Sequence, residues 1–194
     1  MKRFSLYCAL VLFVSIFSSC SNSSNPTAQL SQDEPSMRTR VSNVSLITLP
    51  ASKDPNVLRK SATTQVWVTQ ADGGDVTISN TYTASDNSTV SIDMNLHFEP
   101  GTVTKDQMIS IMLDSQTLMA DFSPSQVFAK PAKLTATISG LDLKNIPGDI
   151  NLYFIDGMSF EEMGAPVVDK KAGTITLTGA DIPHFSLYGF GYTK

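Results

Sequence analysis

SIDMNLHF, residues 91–98, alternates polar and apolar side chains without interruption. In an extended chain successive side chains point to opposite faces, so Ile92, Met94, Leu96 and Phe98 share one face. A strand with one apolar and one polar face is typical of an antiparallel sheet that covers a core on one side. The segment therefore predicts a half-buried β-strand.

The chain on both sides of this segment repeats short strand-like stretches separated by turn residues. Residues 64–69 and 76–82 are rich in β-branched and aromatic side chains, and the turn sequence Asp72-Gly73-Gly74-Asp75 separates them. Short strands at this spacing, with Gly and Pro between them, indicate an all-β fold, and we predict an antiparallel β-sandwich. One short stretch, Met158–Met163, is also compatible with a helical turn. Further apolar stretches occupy residues 107–113, 118–122, 134–138, 150–155, 173–177 and 186–192.

The first twenty residues, MKRFSLYCALVLFVSIFSSC, have the features of a secretory signal peptide. Lys2 and Arg3 supply the positive start, and a short apolar run ends in small residues before a cut site. Ser18-Ser19-Cys20 resembles the lipobox of bacterial lipoproteins, in which the cysteine is acylated and becomes the first residue. Phe17 stands where that motif usually has Leu. The resemblance implies lipidation at Cys20; the alternative is an ordinary signal peptide with an incidental cysteine.

A polar segment follows the proposed lipid site. Its first half is rich in Ser, Asn, Gln and Pro and lacks the large apolar residues that would offset the entropy of ordering it. We therefore predict three regions: a lipoprotein signal peptide over residues 1–19, a disordered linker over residues 20–61, and a β-sandwich domain over residues 62–194. The linker has room for one loosely held strand, Val41–Leu49.

Composition narrows the range of functions. Removal of the signal leaves 12 of the 14 basic residues and all 18 acidic ones, so no basic stripe is available for nucleic acid or anionic lipid. The two cysteines are Cys8, inside the signal, and Cys20, so the domain has neither a disulfide nor a thiol for chemistry. With only His97 and His184 as histidines, we expect no metal site and no cofactor.

Four segments taken in order resemble the ZU-five domain, the β-sandwich of zonula-occludens, netrin-receptor and ankyrin proteins. They are Phe98–Val103, Phe122–Pro124, Phe128–Leu134 and His184–Tyr188, and the resemblance extends over about residues 73–194. Val103 replaces the usual Ala, and the stretch between residues 75 and 98 is longer than in the family. The resemblance implies a protein-interaction or scaffolding module rather than a metabolic enzyme.

His184-Phe185-Ser186 is the one stretch with a plausible reaction, because some relatives in that family cleave themselves at His-Phe-Ser. The Ser186 hydroxyl would attack the carbonyl carbon of Phe185 while His184 accepts its proton, and water would hydrolyse the resulting ester. Backbone strain at a tight turn would favour the reaction. The alternative, which we favour, has His184 at a sheet end, Phe185 in the core and Ser186 at a strand start.

Two other candidate sites have weaker support. The aromatics Trp67, Tyr82, Tyr153, Tyr188 and Tyr192 could line a glycan platform, although such residues more often pack in a core. Glu161 and Glu162 are adjacent and do not face one cleft, as a sugar-cleaving pair must. Our expectation is therefore a non-enzymatic lipoprotein of the bacterial cell envelope, at the outer membrane or the periplasmic face of the inner membrane. Its partners would be the membrane, through the lipid anchor, and an envelope protein; self-cleavage and carbohydrate binding are the alternatives.

Overall fold

The computed structural model describes residues 40–54 and 62–194. The signal peptide, Cys20 and most of the predicted linker lie outside these residues. The described residues form strands and contain no helix. The strands are β1 (Arg40–Val41), β2 (Val44–Leu46), β3 (Thr63–Val68), β4 (Gly74–Thr83), β5 (Thr89–Phe98), β6 (Gln107–Leu113), β7 (Met119–Ser123), β8 (Val127–Ser139), β9 (Ile150–Asp156), β10 (Ser159–Gly164), β11 (Val167–Asp169), β12 (Thr174–His184) and β13 (Leu187–Thr193).

The strands form two antiparallel sheets that pack face to face, which confirms the predicted all-β sandwich. The large sheet has the order β1-β10-β9-β13-β7-β6-β3, and β2 also pairs with β13. The small sheet has the order β11-β12-β8-β5-β4. The last strand of the fold, β13, thus lies in the middle of the large sheet, hydrogen-bonded to β9 on one side and to β7 and β2 on the other.

The core lies between the inner faces of the two sheets. The four apolar residues of SIDMNLHF all point into it, and none is more than 3% exposed. The polar residues of the same strand point outward, as the alternation predicts. Opposite them on the large sheet, Tyr188 and Phe190 of β13 are buried as well. Alternate residues of this strand therefore face the core and the solvent, as the alternation of apolar and polar residues predicts.

Residues 40–54 are packed more firmly than the loosely held strand expected in the linker. Ile47 and Leu49 are 1% and 5% exposed and belong to the core. The Ile47 amide donates to the Phe190 carbonyl at 2.9 Å, and the Ile47 carbonyl accepts from the Leu118 amide at 2.8 Å. The folded part therefore begins before residue 62 on this side, because two buried side chains outweigh the polar composition around them.

The far end of this segment reaches the small sheet. The Tyr82 hydroxyl of β4 donates to the Pro50 carbonyl at 2.8 Å, and the Lys53 amide donates to the Thr83 carbonyl at 2.9 Å. Burial raises the pKa of Tyr82 to about 12. Residues 44–53 therefore bond to the large sheet at one end and to the small sheet at the other.

The stretch Met158–Met163, which the sequence left open to a helical turn, is extended. It forms most of β10, which pairs with β9 through Phe160–Ile155 and Glu162–Tyr153. The short turn around Gly157, whose φ is +60°, joins the two strands. A hairpin turn directly after an apolar strand favours continued strand pairing over a single helical turn.

Candidate functional site

His184-Phe185-Ser186 lies where the chain leaves the small sheet and enters the large one. β12 ends at His184 and β13 begins at Leu187, and these strands belong to different sheets. The Phe185 side chain is 2% exposed and packs edge-to-face on Phe128, with ring centroids 4.6 Å apart. Phe185 therefore lies in the core, as the non-catalytic reading of this stretch expects.

Backbone hydrogen bonds fix both sides of the Phe185–Ser186 peptide. The Phe185 amide donates to the Gln126 carbonyl at 2.8 Å, and the Ser186 carbonyl accepts from the Phe122 amide at 3.1 Å. The segment contains neither a cis peptide bond nor a residue with positive φ. The backbone strain that self-cleavage would use is therefore not visible at these three residues.

The His184 ring lies beside two aromatic rings and bonds to one of them. Its centroid is 4.4 Å from that of Phe154 and 6.0 Å from that of Tyr188. The Tyr188 hydroxyl donates to the His184 carbonyl at 2.8 Å and lies 3.3 Å from His184 Nδ1. The Tyr188 hydroxyl proton is used on the His184 carbonyl, and the role of Nδ1 in the second contact depends on the tautomer of the histidine.

Self-cleavage between Phe185 and Ser186 stays a prediction. The structure brings the histidine and the serine to the same crossover, and it places Tyr188, which the sequence analysis had not considered as a partner of the histidine, against that ring. Mass spectrometry of the denatured protein tests the reaction directly. Two fragments that meet at the Phe185–Ser186 bond would establish cleavage, and a single intact mass would exclude it.

The outer faces of the two sheets differ in chemistry. On the small sheet, the outward residues of β4, of β5 and of the Lys133–Ser139 part of β8 are polar, and several of those on β4 and β5 bond to one another across the strands. Asn95 and His97 both lie 2.9 Å from Asp75 Oδ1, and the Thr77 hydroxyl donates to Asn95 at 3.0 Å. Farther along the same strands, the hydroxyls of Thr81 and Ser91 are 3.1 Å apart. We call this the polar face.

An aspartate–histidine hydrogen bond and an ion pair lie in one cross-strand row of the polar face. Asp75, His97, Lys133 and Asp181 are direct neighbours on β4, β5, β8 and β12. Lys133 forms an ion pair with Asp181. The hydrogen bond from Asn95 lowers the pKa of Asp75 below its usual value of 3.8, and the hydrogen bond and charge of His97 act in the same direction. The polar side chains of this face thus satisfy one another and are also open to water.

The outer face of the large sheet carries large apolar side chains on its β3–β6–β7–β13 half. Trp67, Met108 and Met112 are 58%, 46% and 43% exposed, although each belongs to a regular strand. Trp67 and Met108 are direct cross-strand neighbours. Met119 of β7 and Leu187 of β13 are partly exposed on the same side of the sheet. We call these five residues the outer apolar face.

A cleft of about 370 Å³ opens within the outer apolar face. Met112, Met119 and Leu187 supply its apolar walls, and Asp114 and Asp121 supply two carboxylates. Asp121 stands between Met112 and Leu187 in one cross-strand row. Burial acts to raise the pKa of Asp114, but hydrogen bonds from the amides of residues 116 and 117 and from the Thr117 hydroxyl outweigh it and lower that pKa.

The neighbouring part of the same sheet face is covered by the chain itself. Gly189 and Gly191 of β13 lie under the side chains of Leu46 and Val44. A Cβ on Gly191 would come within 2.7 Å of Val44 Cγ1 and 2.9 Å of the Ser45 carbonyl oxygen. The absence of side chains at these glycines lets the side chains of β2, the neighbouring strand, and of Met119 fill the space over β13.

The sequence did not single out the outer apolar face as a functional region. Residues 107–113 look like a continuous apolar strand, a pattern that usually means burial on both faces. The structure instead alternates, with Ile109 and Ile111 buried and Met108 and Met112 exposed. A methionine at every second outward position was the available signal, since Met is common at adaptable binding surfaces.

The aromatics considered for a glycan platform do not form one. Tyr82, Tyr153 and Tyr188 are 4%, 1% and 1% exposed, so of the five only Trp67 is strongly exposed. The rings of these three tyrosines are buried, where an aromatic side chain contributes most to stability. A flat row of exposed rings from this set is therefore excluded.

The carboxylates also stay apart, as expected. Glu161 and Glu162 are successive residues of β10 and line different clefts. Within residues 40–54 and 62–194, no three His, Cys, Asp or Glu side chains come together as a group that could hold a metal ion. In the same ranges, no helix is long and apolar enough to cross a bilayer.

Comparisons with known proteins give no relative: no family model, no curated protein and no solved structure matches the chain. The resemblance to the ZU-five family and to the lipobox therefore stays a prediction from the residues quoted above.

Proposed function

We propose that the protein is a bacterial envelope lipoprotein, anchored through lipid on Cys20, whose β-sandwich is a protein-interaction or structural module. The signal-like first twenty residues, the polar segment after Cys20 and the resemblance to the ZU-five domain support this role. The membrane is its partner through the anchor, and a second envelope protein is its partner through the domain. Nucleic acid, metals and cofactors have no part in the proposal.

The outer apolar face is the single observation that favours an interaction role over a merely structural one. A soluble domain rarely leaves several large apolar side chains side by side, and such patches commonly mark binding surfaces. Here Trp67 and Met108 are exposed as direct neighbours, and Met112 is exposed beyond Ser110 on the same strand, whereas the outward side chains of β4 and β5 are polar. Trp and Met are also among the residues enriched at protein interfaces.

The anchor is tested by the mass and the location of the protein. Wild-type protein should carry fatty acids on its first residue and sediment with membranes, because acyl chains partition into the bilayer. The Cys20→Ser variant should lack the added mass and leave the membrane fraction. A wild-type protein without acyl mass at Cys20 would contradict the proposed anchoring.

The interaction role is tested by photo-crosslinking in cells that produce the full chain. A photoreactive residue at position 112 samples the outer apolar face, and one at position 95 samples the polar face. We expect crosslinks to a second protein at position 112 and none at position 95. Absence of crosslinks at both positions would contradict an interaction module.

A further inference from the structure

We propose that the outer apolar face binds a cationic, apolar segment of a partner protein, with a lysine or arginine of that segment held between Asp114 and Asp121. The proposal rests on the interaction role proposed above and names the chemistry of the partner. Three features carry it: the exposed apolar side chains, the acidic cleft among them, and the charge of the chain as a whole.

The exposed apolar side chains indicate that the partner segment is itself apolar. Trp67 and Met108 lie side by side at one end, and Met112, Met119 and Leu187 surround the cleft at the other. Methionine side chains are flexible and polarisable, so they adapt to apolar groups of different shapes. A segment with large apolar side chains would therefore bury these five residues together.

The negative charge of the cleft indicates that the partner segment also carries a cation. Among the described residues that line it, Asp114 and Asp121 are charged and no cation is present. Three donors from residues 116 and 117 hold Asp114 Oδ2 at 2.7–2.9 Å, which keeps this carboxylate ionised and fixed in place. A cation entering the cleft would pair with an oriented carboxylate and would lay its aliphatic stem against the methionines.

The same charges argue against two other occupants. An anionic bilayer surface would be repelled by the carboxylates, and the whole chain has a formal net charge of −4. A second copy of the domain, docked through a two-fold axis, would bring the carboxylates of both copies towards one another. A basic partner would be attracted by the carboxylates, so neither kind of charge repulsion arises.

Trp67 provides the measurement, because it is the only tryptophan in the chain. The probe is a short capped peptide of alternating leucine and lysine, added to the full mature chain carrying Cys20→Ser. We expect a saturable blue shift of the Trp67 emission that weakens as salt is added. The matched peptide of leucine and glutamate should produce no shift.

Two variants test the assigned residues. Asp121→Asn should weaken binding of the lysine peptide about two- to fivefold, as expected for one partly exposed ion pair, whereas Asp142→Asn removes the same charge outside the cleft and should not. Met112→Ser should also weaken binding, and Met158→Ser, at an exposed hairpin tip, should not. Asp114 is left unchanged because it holds its own turn.

Several results would overturn the proposal. They are an equal response to both peptides, an unchanged affinity in Asp121→Asn, a response to phosphatidylglycerol vesicles but not to the lysine peptide, or an emission that depends on protein concentration alone. Crosslinks in cells at position 95 but not at position 112 would overturn this surface while leaving an interaction module standing. Crosslinks at neither position would contradict both this binding surface and the interaction role.

Discussion

The outer faces of the two sheets carry different kinds of side chains. The small sheet covers its outer face with hydroxyls, amides and charges that bond to one another, from Asp75 and Asn95 to Lys133 and Asp181. The large sheet has apolar residues on its outer face, where the side chains of Val44 and Leu46 lie over the two glycines of β13. The remaining part, around Trp67 and Met112, stays exposed.

The difference shows that the covering segment belongs to the fold. A polar outer face needs only water, whereas an apolar one loses free energy for every square ångström left exposed. Val44 and Leu46 supply cover for the β13 glycines, and Ile47 and Leu49 enter the core. The uncovered half is then the natural place for another molecule to bind.

The strongest test of this comparison is Ile47→Ala. Because Ile47 is 1% exposed, we expect the free energy of unfolding to fall by about 2–4 kcal/mol, the usual cost of removing a large buried aliphatic side chain. Urea denaturation of the purified protein measures it. Thr48→Ala, at the exposed neighbour, should change little; equal stability of the two variants would make residues 44–49 a tether rather than part of the domain.

Gly191→Ala tests how closely β2 packs against β13, its neighbour in the large sheet. The new methyl would meet Val44 and Ser45 at less than 3 Å, so overpacking should cost about 1–3 kcal/mol and raise hydrogen exchange in residues 44–49. The control is Gly164→Ala, whose methyl would find only ordinary contacts of 3.6 Å and more. If both variants unfold at the same urea concentration, the close approach is wrong.

Tyr82→Phe tests the far end of the same segment. Loss of the hydrogen bond to the Pro50 carbonyl should cost about 1 kcal/mol at neutral pH. Since folding raises the pKa of Tyr82 from 10.0 to about 12, the unfolded chain releases the proton first and stability falls as the pH rises through this window. Circular-dichroism melts should show a smaller alkaline loss in the variant than in the wild type.

Asp75→Asn probes the polar face, where we expect the smallest effect. Its carboxylate is half exposed, so the variant should lose less than about 1 kcal/mol at neutral pH. Because folding lowers the pKa of Asp75, its contribution is present above 3.8 and is lost as the pH falls through the lowered value. The variant should lack this part of the acid dependence, whereas Asp93→Asn, on the same face, should retain it. A larger loss in Asp75→Asn than in Ile47→Ala would reverse the comparison of the two faces.

Much of the fold could be predicted from local patterns. The alternation of SIDMNLHF identified the core face of β5, and the turn at Gly73-Gly74 joined β3 to β4, because these signals depend on neighbours in the chain. The place of residues 40–54 could not be predicted in this way. Ile47 and Leu49 stand among Ser, Asn and Thr, and only the partners that they meet across the sandwich explain their burial.

The two candidate sites also differ in how much of them the sequence could predict. The His184-Phe185-Ser186 motif was visible in the sequence, but its place at the sheet crossover and the contact with Tyr188 depend on the tertiary structure. The outer apolar face was hidden, because Met108 and Met112 look like core residues until the sheet shows which side faces outward. Exposure, rather than residue type, makes them a candidate surface.

The central position of β13 has a consequence for when the large sheet can form during synthesis. A nascent chain that has not yet extended past Thr193 lacks the strand that β9, β7 and β2 all need as a neighbour. We expect the large sheet to stay incomplete until β13 has been added, since three of its seven strand pairings need that strand. In the lipoprotein proposed above, such a delay would help to keep the precursor unfolded for export.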